Sequence, residues 1–332
     1  MPMFARRLVQ LVVVVVLATL FTFSLLRLFP GDIADAVLPF GTPAQKAQFR
    51  EDNGLDKPFL QQYVHWLDRI VLHFDLGKDY QSNREVSDKL EAALPVSLEL
   101  MLYAQVIALV VAIPLGVLTA YRANTVTDRA VNTGAFALLA LPSFVLALIF
   151  AYFIGAEWRP HLPWLGQIPA GGYSPGWLEG LFGQPTGDLG HHFATMLLPA
   201  LSLAAGLVAI YMRLLRSDMI ATLQENYITM ARAKGLSDRR ILWRHALRPS
   251  SLTLLTVAGL NFGALIGGAV AVEVIFGIPG LGTLIYQAIS ARQYVELQSY
   301  IAIIAIGYVL LNFFIDSLYI VLDPRIRRAR NA

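Results

Sequence analysis

Cysteine is absent from this 332-residue chain, and charge is scarce. Without cysteine there are no disulfides, no thiolate metal sites and no cysteine nucleophile, so any segment outside a membrane is held by packing alone. Charged residues make up 15% of the chain, against ~25% in soluble domains. The scarcity is uneven. Six stretches, residues 8–26, 100–121, 130–156, 189–212, 249–272 and 297–315, contain no Asp, Glu, Lys or Arg. Each approaches or exceeds the ~20 residues that a helix needs to cross a ~30 Å hydrocarbon layer. Backbone groups in lipid must bond within their own segment, and these runs are continuously apolar rather than alternating. The pattern predicts an all-α integral membrane protein with six transmembrane helices.

Several catalytic patterns are also missing. There is no Gly-x-x-x-x-Gly-Lys-Ser/Thr and no His-Glu-x-x-His, and Lys234-Gly235 has no phosphate loop before it. His191 and His192 are adjacent and cannot share one helical face as metal ligands. Gly172-Tyr173-Ser174-Pro175-Gly176 matches a hydrolase elbow in spacing, but it sits between apolar runs, not at a strand–helix turn. An intramembrane enzyme needs paired catalytic groups inside the spans, and an ion-coupled carrier needs acids at the midplane. The runs are nearly empty of both.

The net charge of +3 is a matter of topology rather than of nucleic-acid binding. Residues 213–248 hold eight basic residues and three acidic ones; the tail adds Arg325, Arg327, Arg328 and Arg330, and the link after the second run carries Arg122 and Arg129. These regions are expected in the cytoplasm together with the N-terminus, so six spans put both termini inside. Residues 30–97, with seven basic and eleven acidic residues, are expected outside. Within them Phe59-Leu60-Gln61-Gln62-Tyr63-Val64-His65-Trp66-Leu67 has helical apolar spacing. Residues 157–188, rich in Gly, Pro and Trp, form a second outer loop of ordered turns. The expected layout is a transmembrane helix over 1–29, an extracytoplasmic segment over 30–97, a five-helix core over 98–322 with a cytoplasmic loop at 213–250, and a basic tail over 323–332. The first run exceeds the ~7–15 residues of a signal-peptide core, and Arg27 at its outer end can snorkel to the interface.

The cytoplasmic loop carries the most specific pattern. Tyr227, Ala231, Arg232, Ala233, Lys234, Gly235 and Leu236 are followed by Arg244, His245, Leu247 and Pro249. The residues predict two short helices broken at Gly235, which suits a left-handed helix end, with Ser237 or Asp238 capping the second. A short helix with a small-residue face at Ala231 and Ala233 can enter a groove on a partner. A second pattern is Glu273-Val274-Ile275-Phe276-Gly277-Ile278-Pro279-Gly280-Leu281-Gly282, in which Pro279-Gly280 is expected to break the fifth span and return the chain as a short apolar segment over 284–289.

Taken whole, Tyr-x-x-x-Ala-Arg-Ala-Lys-Gly-Leu followed by Arg-His-Ala-Leu-Arg resembles the coupling loop of ATP-binding-cassette importer permeases, in its dipeptide/oligopeptide branch. Ala231-Arg232-Ala233 stands where the generic loop has Glu-Ala-Ala, and Pro249 is offset, as in that branch. Phe29-Pro30-Gly31-Asp32, Gly54-Leu55-Asp56-Lys57-Pro58, Gln62-Tyr63-x-x-Trp66-Leu67 and Leu94-Pro95-Val96-Ser97-Leu98-Glu99-Leu100 extend the resemblance over nearly the whole chain. Asp75-Leu76-Gly77 fits a Gly-Asp-Leu-Gly element except that Phe74 replaces its first glycine.

The resemblance implies a type I ABC-importer permease fold in a bacterial inner membrane. It implies a pore subunit that moves di- or oligopeptides by alternating access, with nickel or another small solute as the alternative cargo. The implied partners are a second homologous permease, two ATPase subunits, an extracytoplasmic peptide-binding protein and membrane lipid, with no nucleic acid. This chain would hold no cofactor, because ATP and Mg bind the partner ATPases. Glu273, Phe276, Pro279, Gly280 and Gly282 are read as an outer gate or pathway lining, against a plain interhelical loop. Glu273 either meets a peptide's positive terminus or caps local backbone. Asp316 either serves transport or makes a structural bond near the cytoplasmic end. Gly259, Gly263 and Gly267, four residues apart, form a face for close packing on a second permease or within this chain. Pro114, Pro142 and Pro199 are expected to kink three spans.

Overall fold

The computed structural model describes residues 3–28, 34–35, 38, 40–52, 54–73, 75–78, 84–157, 168–169, 171–291 and 293–322, without the side chains of 3–8, 25–28, 155–156, 294–295 and 316–322. Residues 29–32, Phe74, the arginine tail and the side chains of Arg27 and Asp316 lie outside this description. Among the described residues the chain is helical, with one isolated bridge between Lys78 and Glu85 and no strand. It divides into two compact units, one of residues 1–95 and 279–311, the other of residues 96–278 and 312–332.

The first unit begins with α1 (Met3–Leu28), α2 (Pro43–Asp52) and α3 (Phe59–His73). Thr42 and Gln45 close α2 reciprocally, Gln45 Oε1 accepting from Thr42 N at 2.8 Å and Thr42 Oγ1 from Gln45 N at 3.3 Å. The helix expected from the apolar spacing at 59–67 is α3. It packs on α1 through an aromatic cluster in which Phe23 meets Phe59, Tyr63 and Trp66 at centroid distances of 5.3, 5.6 and 5.5 Å. The Tyr63 hydroxyl is 2.9 Å from Thr19 Oγ1 and donates to the Val16 carbonyl at 3.1 Å. The unit's other core joins Val86, Leu90 and Ala93, at the start of α4 (Val86–Tyr121), to Leu281 and Ala288 of α11 (Leu281–Ser290) and to Leu297 and Tyr300 of α12 (Tyr294–Leu322). A Lys89–Glu296 ion pair of 2.7 Å flanks it.

The second unit takes the rest of α4, then α5 (Val126–Ala140), α6 (Ser143–Ile149, continued as a π-helical turn Phe150–Glu157), α7 (Trp177–Leu181), α8 (Leu189–Leu223), α9 (Asn226–Ala233), α10 (Asp238–Phe276) and the end of α12. Ala104, Ala108 and Ala112 place a stripe of small residues along α4, and they are buried in one core with Met196, Leu203 and Tyr211 of α8 and Leu254 and Leu265 of α10. Small residues at this spacing let helices approach closely. Gln105 ties the three helices: its Oε1 accepts from Tyr211 Oη at 3.1 Å and its Nε2 donates to the Ala258 carbonyl at 3.3 Å.

Four helices are long and apolar enough to cross a membrane: Val86–Tyr121, Leu189–Leu223, Asp238–Phe276 and Glu296–Ile315. The run at 130–156, expected as one kinked span, is instead two helices bent by 96°, which count as a fifth span if taken together. Leu141 is extended (φ −98°, ψ 119°), the conformation favoured before a proline, and Pro142 caps α6. Pro114 and Pro199 lie inside unbroken helices. Described side chains of α1 supply an apolar stretch of Val9–Ser24, shorter than a full span.

Candidate functional site

The hairpin expected at 227–248 is α9, a glycine turn and the first turns of α10. Gly235 is left-handed (φ +76°). Its N–H donates to the Arg232 carbonyl at 2.9 Å and the Leu236 N–H to the Ala231 carbonyl at 3.2 Å, the pair of bonds that defines a Schellman closure. Leu236 then folds onto a small core of Ile228, Ala231 and Ile241. Ser237 occupies the cap position of α10, but its side chain makes no capping bond. The second short helix expected here is the lower end of α10, which runs unbroken through Pro249 to Phe276. Pro249 has no N–H for the His245 carbonyl four residues back. The Tyr227 hydroxyl donates to that carbonyl instead, at 3.3 Å, and the turn Ile241–Ala246 is π-helical.

Burial divides the motif. Ala231 is inside the hairpin core and Leu236, His245 and Leu247 are half-buried, whereas Arg232, Ala233, Lys234 and Arg244 are exposed. The two alanines therefore do not form one exposed small-residue face. The outer surface instead presents large apolar side chains, Tyr227, Met230 (64% exposed) and Trp243 (47%), among the cations.

The far end of α10 closes in the same way. Gly277 is left-handed (φ +68°), and the Ile278 N–H donates to the Glu273 carbonyl at 2.9 Å. Gly277, not Pro279-Gly280, ends the helix; Gly280 is the N-cap residue of α11. Glu273 and Phe276 are buried in the second unit. Glu273 Oε1 accepts from Ser97 Oγ at 2.6 Å, and the Phe276 carbonyl accepts from Gly172 N at 2.9 Å. Pro279, which is exposed, and Gly280 and Gly282, which are buried, belong to the first unit. Gly259 faces Ile315, whose Cγ2 would lie 2.9 Å from an added Cβ; Gly263 is buried, and Gly267 has open space.

One buried polar cluster has no counterpart among the sequence expectations. Glu99 of α4 and His192 of α8 are closed to solvent, with Oε2 and Nε2 3.1 Å apart. Glu99 Oε1 accepts from Leu178 N at 2.6 Å, and His192 Nδ1 lies 2.6 Å from the Ser174 carbonyl. Trp177 Nε1 donates to Tyr103 Oη at 2.9 Å, which in turn is 3.2 Å from His192 Nε2. Glu179 accepts from Gly176 N and from Tyr173 Oη, and burial, with that bond, pushes the Tyr173 hydroxyl's pKa up. Gly176 is required by space: a Cβ there would lie 2.6 Å from His192 Cε1 and nearer still to Glu99. The loop that matched a hydrolase elbow is thus a structural clasp, with the Ser174 hydroxyl against Gly187.

The model for binding-protein-dependent transport system inner membrane components matches residues 112–328, and the model for the N-terminal part of such components matches residues 1–101. The chain belongs to this family. It is 34% identical to the di/tripeptide transport system permease protein DppB of Pseudomonas aeruginosa, over 98% of each chain. It is 32% identical to the dipeptide transport system permease protein DppB of Escherichia coli, over 94% of each, and 31% identical to that of Alkalihalophilus pseudofirmus, over 97% of this chain and 98% of the relative.

In this permease-family chain one helix, α10, begins in the hairpin and ends at Glu273–Phe276. The Glu99–His192 cluster escaped the sequence reading for a definite reason. Glu99 is the residue just before a charge-free run, and His192 lies inside one but is not counted as a charge. Ionisable groups in apolar helices are the signal that finds such pairs.

Proposed function

We propose that this chain is one of two membrane-spanning subunits of an ATP-driven importer and carries peptides into the cell by alternating access. Six spans cross the membrane: α1, α4, the bent pair α5–α6, α8, α10 and α12. Both termini are cytoplasmic; residues 30–97 and 157–188 are outside. The relatives are named for dipeptides and di/tripeptides, which favours peptide over nickel or another small solute. Two partner ATPases bind ATP and Mg, a second homologous permease completes the pathway, and an extracytoplasmic binding protein delivers cargo.

The observation that carries this reading is the continuity of α10. Its 39 residues span ~58 Å at 1.5 Å per residue, from the hairpin to the Glu273–Phe276 clasp. A hairpin held by its own core and a Schellman turn moves as one body, so ATPase closure at its surface displaces α10 as a lever. Tyr227, Met230 and Trp243 have the aromatic and methionine composition of an interface core, with Arg232, Lys234 and Arg244 as a charged rim around them. Glu273 and Phe276 act as gate residues at the far end of α10, and Pro279, Gly280 and Gly282, next in the sequence, are the remaining gate candidates.

The test is reconstitution in liposomes with the second permease, the ATPases and the binding protein. ATP-dependent uptake of labelled dipeptide is expected. Accumulation by this chain alone, without nucleotide, overturns the reading. The absence of cysteine makes Lys234→Cys a clean topological probe, and labelling of that residue from outside intact cells would also overturn it.

A further inference from the structure

We infer that the second unit carries a binding site for the headgroup of an anionic phospholipid, formed where the α4–α5 turn meets α8. A cavity of about 740 Å³ lies there, lined among others by Arg129, Asn132, Phe136, Ile210, Arg213 and Ser217. Its charge balance is positive. Arg216 and Asp128 consume one another through two bonds of 2.7 Å, and Asn132 Nδ2 donates to the same carboxylate at 2.7 Å. Arg129 and Arg213 remain, both exposed, and among the described residues no carboxylate pairs with either. Arg213 instead stacks its guanidinium 4.2 Å from the centroid of the Phe136 ring.

The position of these two arginines argues for a lipid rather than a soluble anion. Arg129 is the residue immediately before the charge-free run at 130–156, and Arg213 the residue immediately after the run at 189–212. On two packed helices they mark the same water–hydrocarbon boundary. The cavity's remaining walls come from inside those runs: Phe136 and Ile210 are half or more than a third exposed to the surroundings. A cationic rim over an apolar, laterally open wall suits an amphiphile, with the phosphodiester at the arginines and an acyl chain along Phe136 and Ile210. Basic pockets between transmembrane helices on the cytoplasmic side hold anionic headgroups in this way. Asp128 keeps the rim in place: it accepts from Asn124 N at 2.8 Å, and Asn124 is left-handed at φ +65°. The site rests on the membrane orientation proposed above, not on cargo or on ATP coupling.

The experiment uses the full-length chain purified into nanodiscs of phosphatidylcholine with brominated phosphatidylglycerol or brominated phosphatidylcholine, followed by native mass spectrometry of retained lipid. Preferential retention of phosphatidylglycerol is expected. Arg129→Gln/Arg213→Gln should weaken that preference ~30-fold, at ~1 kcal/mol per cation near a membrane surface. Arg122→Gln/Arg248→Gln, which removes the same charge outside the cavity, should not. Equal retention by both double variants overturns the site, and so does displacement of the lipid by millimolar inorganic phosphate, which would make it a site for a free anion. Should the first variant fail to fold, a photoreactive phosphatidylglycerol on the unaltered chain decides: cross-links to the peptides holding Asn132 and Ser217 support the proposal, and cross-links elsewhere overturn it. Dipeptide uptake is scored separately, so loss of the lipid site and loss of the transport reading are distinguishable.

Discussion

Glu99 and His192 face one another across α4 and α8 at 3.1 Å with no solvent reaching either. The Ser174 carbonyl can only accept, so His192 Nδ1, 2.6 Å away, carries a proton. Nε2 lies 3.2 Å from the Tyr103 hydroxyl, and Glu99 Oε2, 3.1 Å away, has no hydrogen bond among the described residues. Glu99→Gln keeps an acceptor for Leu178 N–H and places an amide donor near Nε2, so its cost is expected within ~1 kcal/mol. Glu99→Ala strips the Leu178 N–H of its acceptor and opens a polar cavity, at ~3 kcal/mol. Thermal unfolding in detergent, with protease resistance of residues 171–188 as a local readout, ranks the two. Equal losses would mean that the charge, not the hydrogen-bond pattern, holds the clasp.

That clasp also marks where the sequence stopped being legible. The helical class, four of the spans, the hairpin and the left-handed Gly235 were readable, because each rests on local composition or on one residue's conformational freedom. The 96° break at Leu141-Pro142 was readable only as a kink: a proline inside a helix and a proline after an extended residue look alike in sequence, as the unbroken helices around Pro114 and Pro199 attest. Ending α10 at Gly277 instead of Pro279-Gly280 turns on one backbone angle. The pairing of Glu99 with His192, 93 residues apart, depends on helix packing that no local pattern encodes.

Gly235 has nothing within 4 Å of a would-be Cβ, so the cost of a side chain there is conformational alone. Gly235→Ala should cost ~1 kcal/mol and Gly235→Asn less, since asparagine tolerates the left-handed region. Gly235→Pro can reach neither this φ nor the bond to the Arg232 carbonyl. It is expected to abolish ATP-dependent uptake and to weaken ATPase co-purification, with the membrane fold retained. Uptake at the unaltered rate by the proline variant would remove the hairpin from the mechanism.

Gly259 and Gly267 separate two uses of one helical face. A Cβ at Gly259 would press on Ile315 of the same chain, so Gly259→Ala is expected to lower the stability of the isolated subunit by ~1–3 kcal/mol. A Cβ at Gly267 meets nothing within 4 Å, so Gly267→Ala should not lower the isolated subunit's melting temperature. Loss of co-purification with the second permease in that variant alone would place the subunit contact at Gly267, and undisturbed pairing would argue that the face serves this chain only.

Acid should release the turn after α3. Burial raises the Asp75 carboxyl, but the Gly77 N–H at 2.9 Å and the Arg69 guanidinium at 2.6 Å outweigh it and hold its pKa below the ordinary 3.8. A depressed carboxylate means that the unfolded segment binds more protons. Its stabilisation is therefore present above pH 3.8 and lost as pH falls through the folded value. Pepsin cleavage between residues 69 and 85 should rise as pH drops from ~5 to ~2, and the rise should flatten in Asp75→Asn, which lacks the linkage at every pH. A steep, unchanged profile in the variant would assign the acid response elsewhere.

The two ends of α10 should fail differently. Ser97 Oγ holds Glu273 Oε1 at 2.6 Å, and Gly172 N holds the Phe276 carbonyl at 2.9 Å, so the C-terminal end of α10 is anchored to α4 and to the loop before α7. Glu273→Ala cuts the first anchor at the end of α10 opposite the hairpin. Docking and ATP hydrolysis are expected to survive while uptake falls at least tenfold, whereas a hairpin variant loses both together. Ser97→Ala, which removes the donor but leaves the carboxylate buried, should give the same uncoupled pattern more weakly. If Glu273→Ala instead lost hydrolysis and uptake in proportion, α10 would not be transmitting movement from one end to the other, and the lever assignment would fail while the family assignment stood.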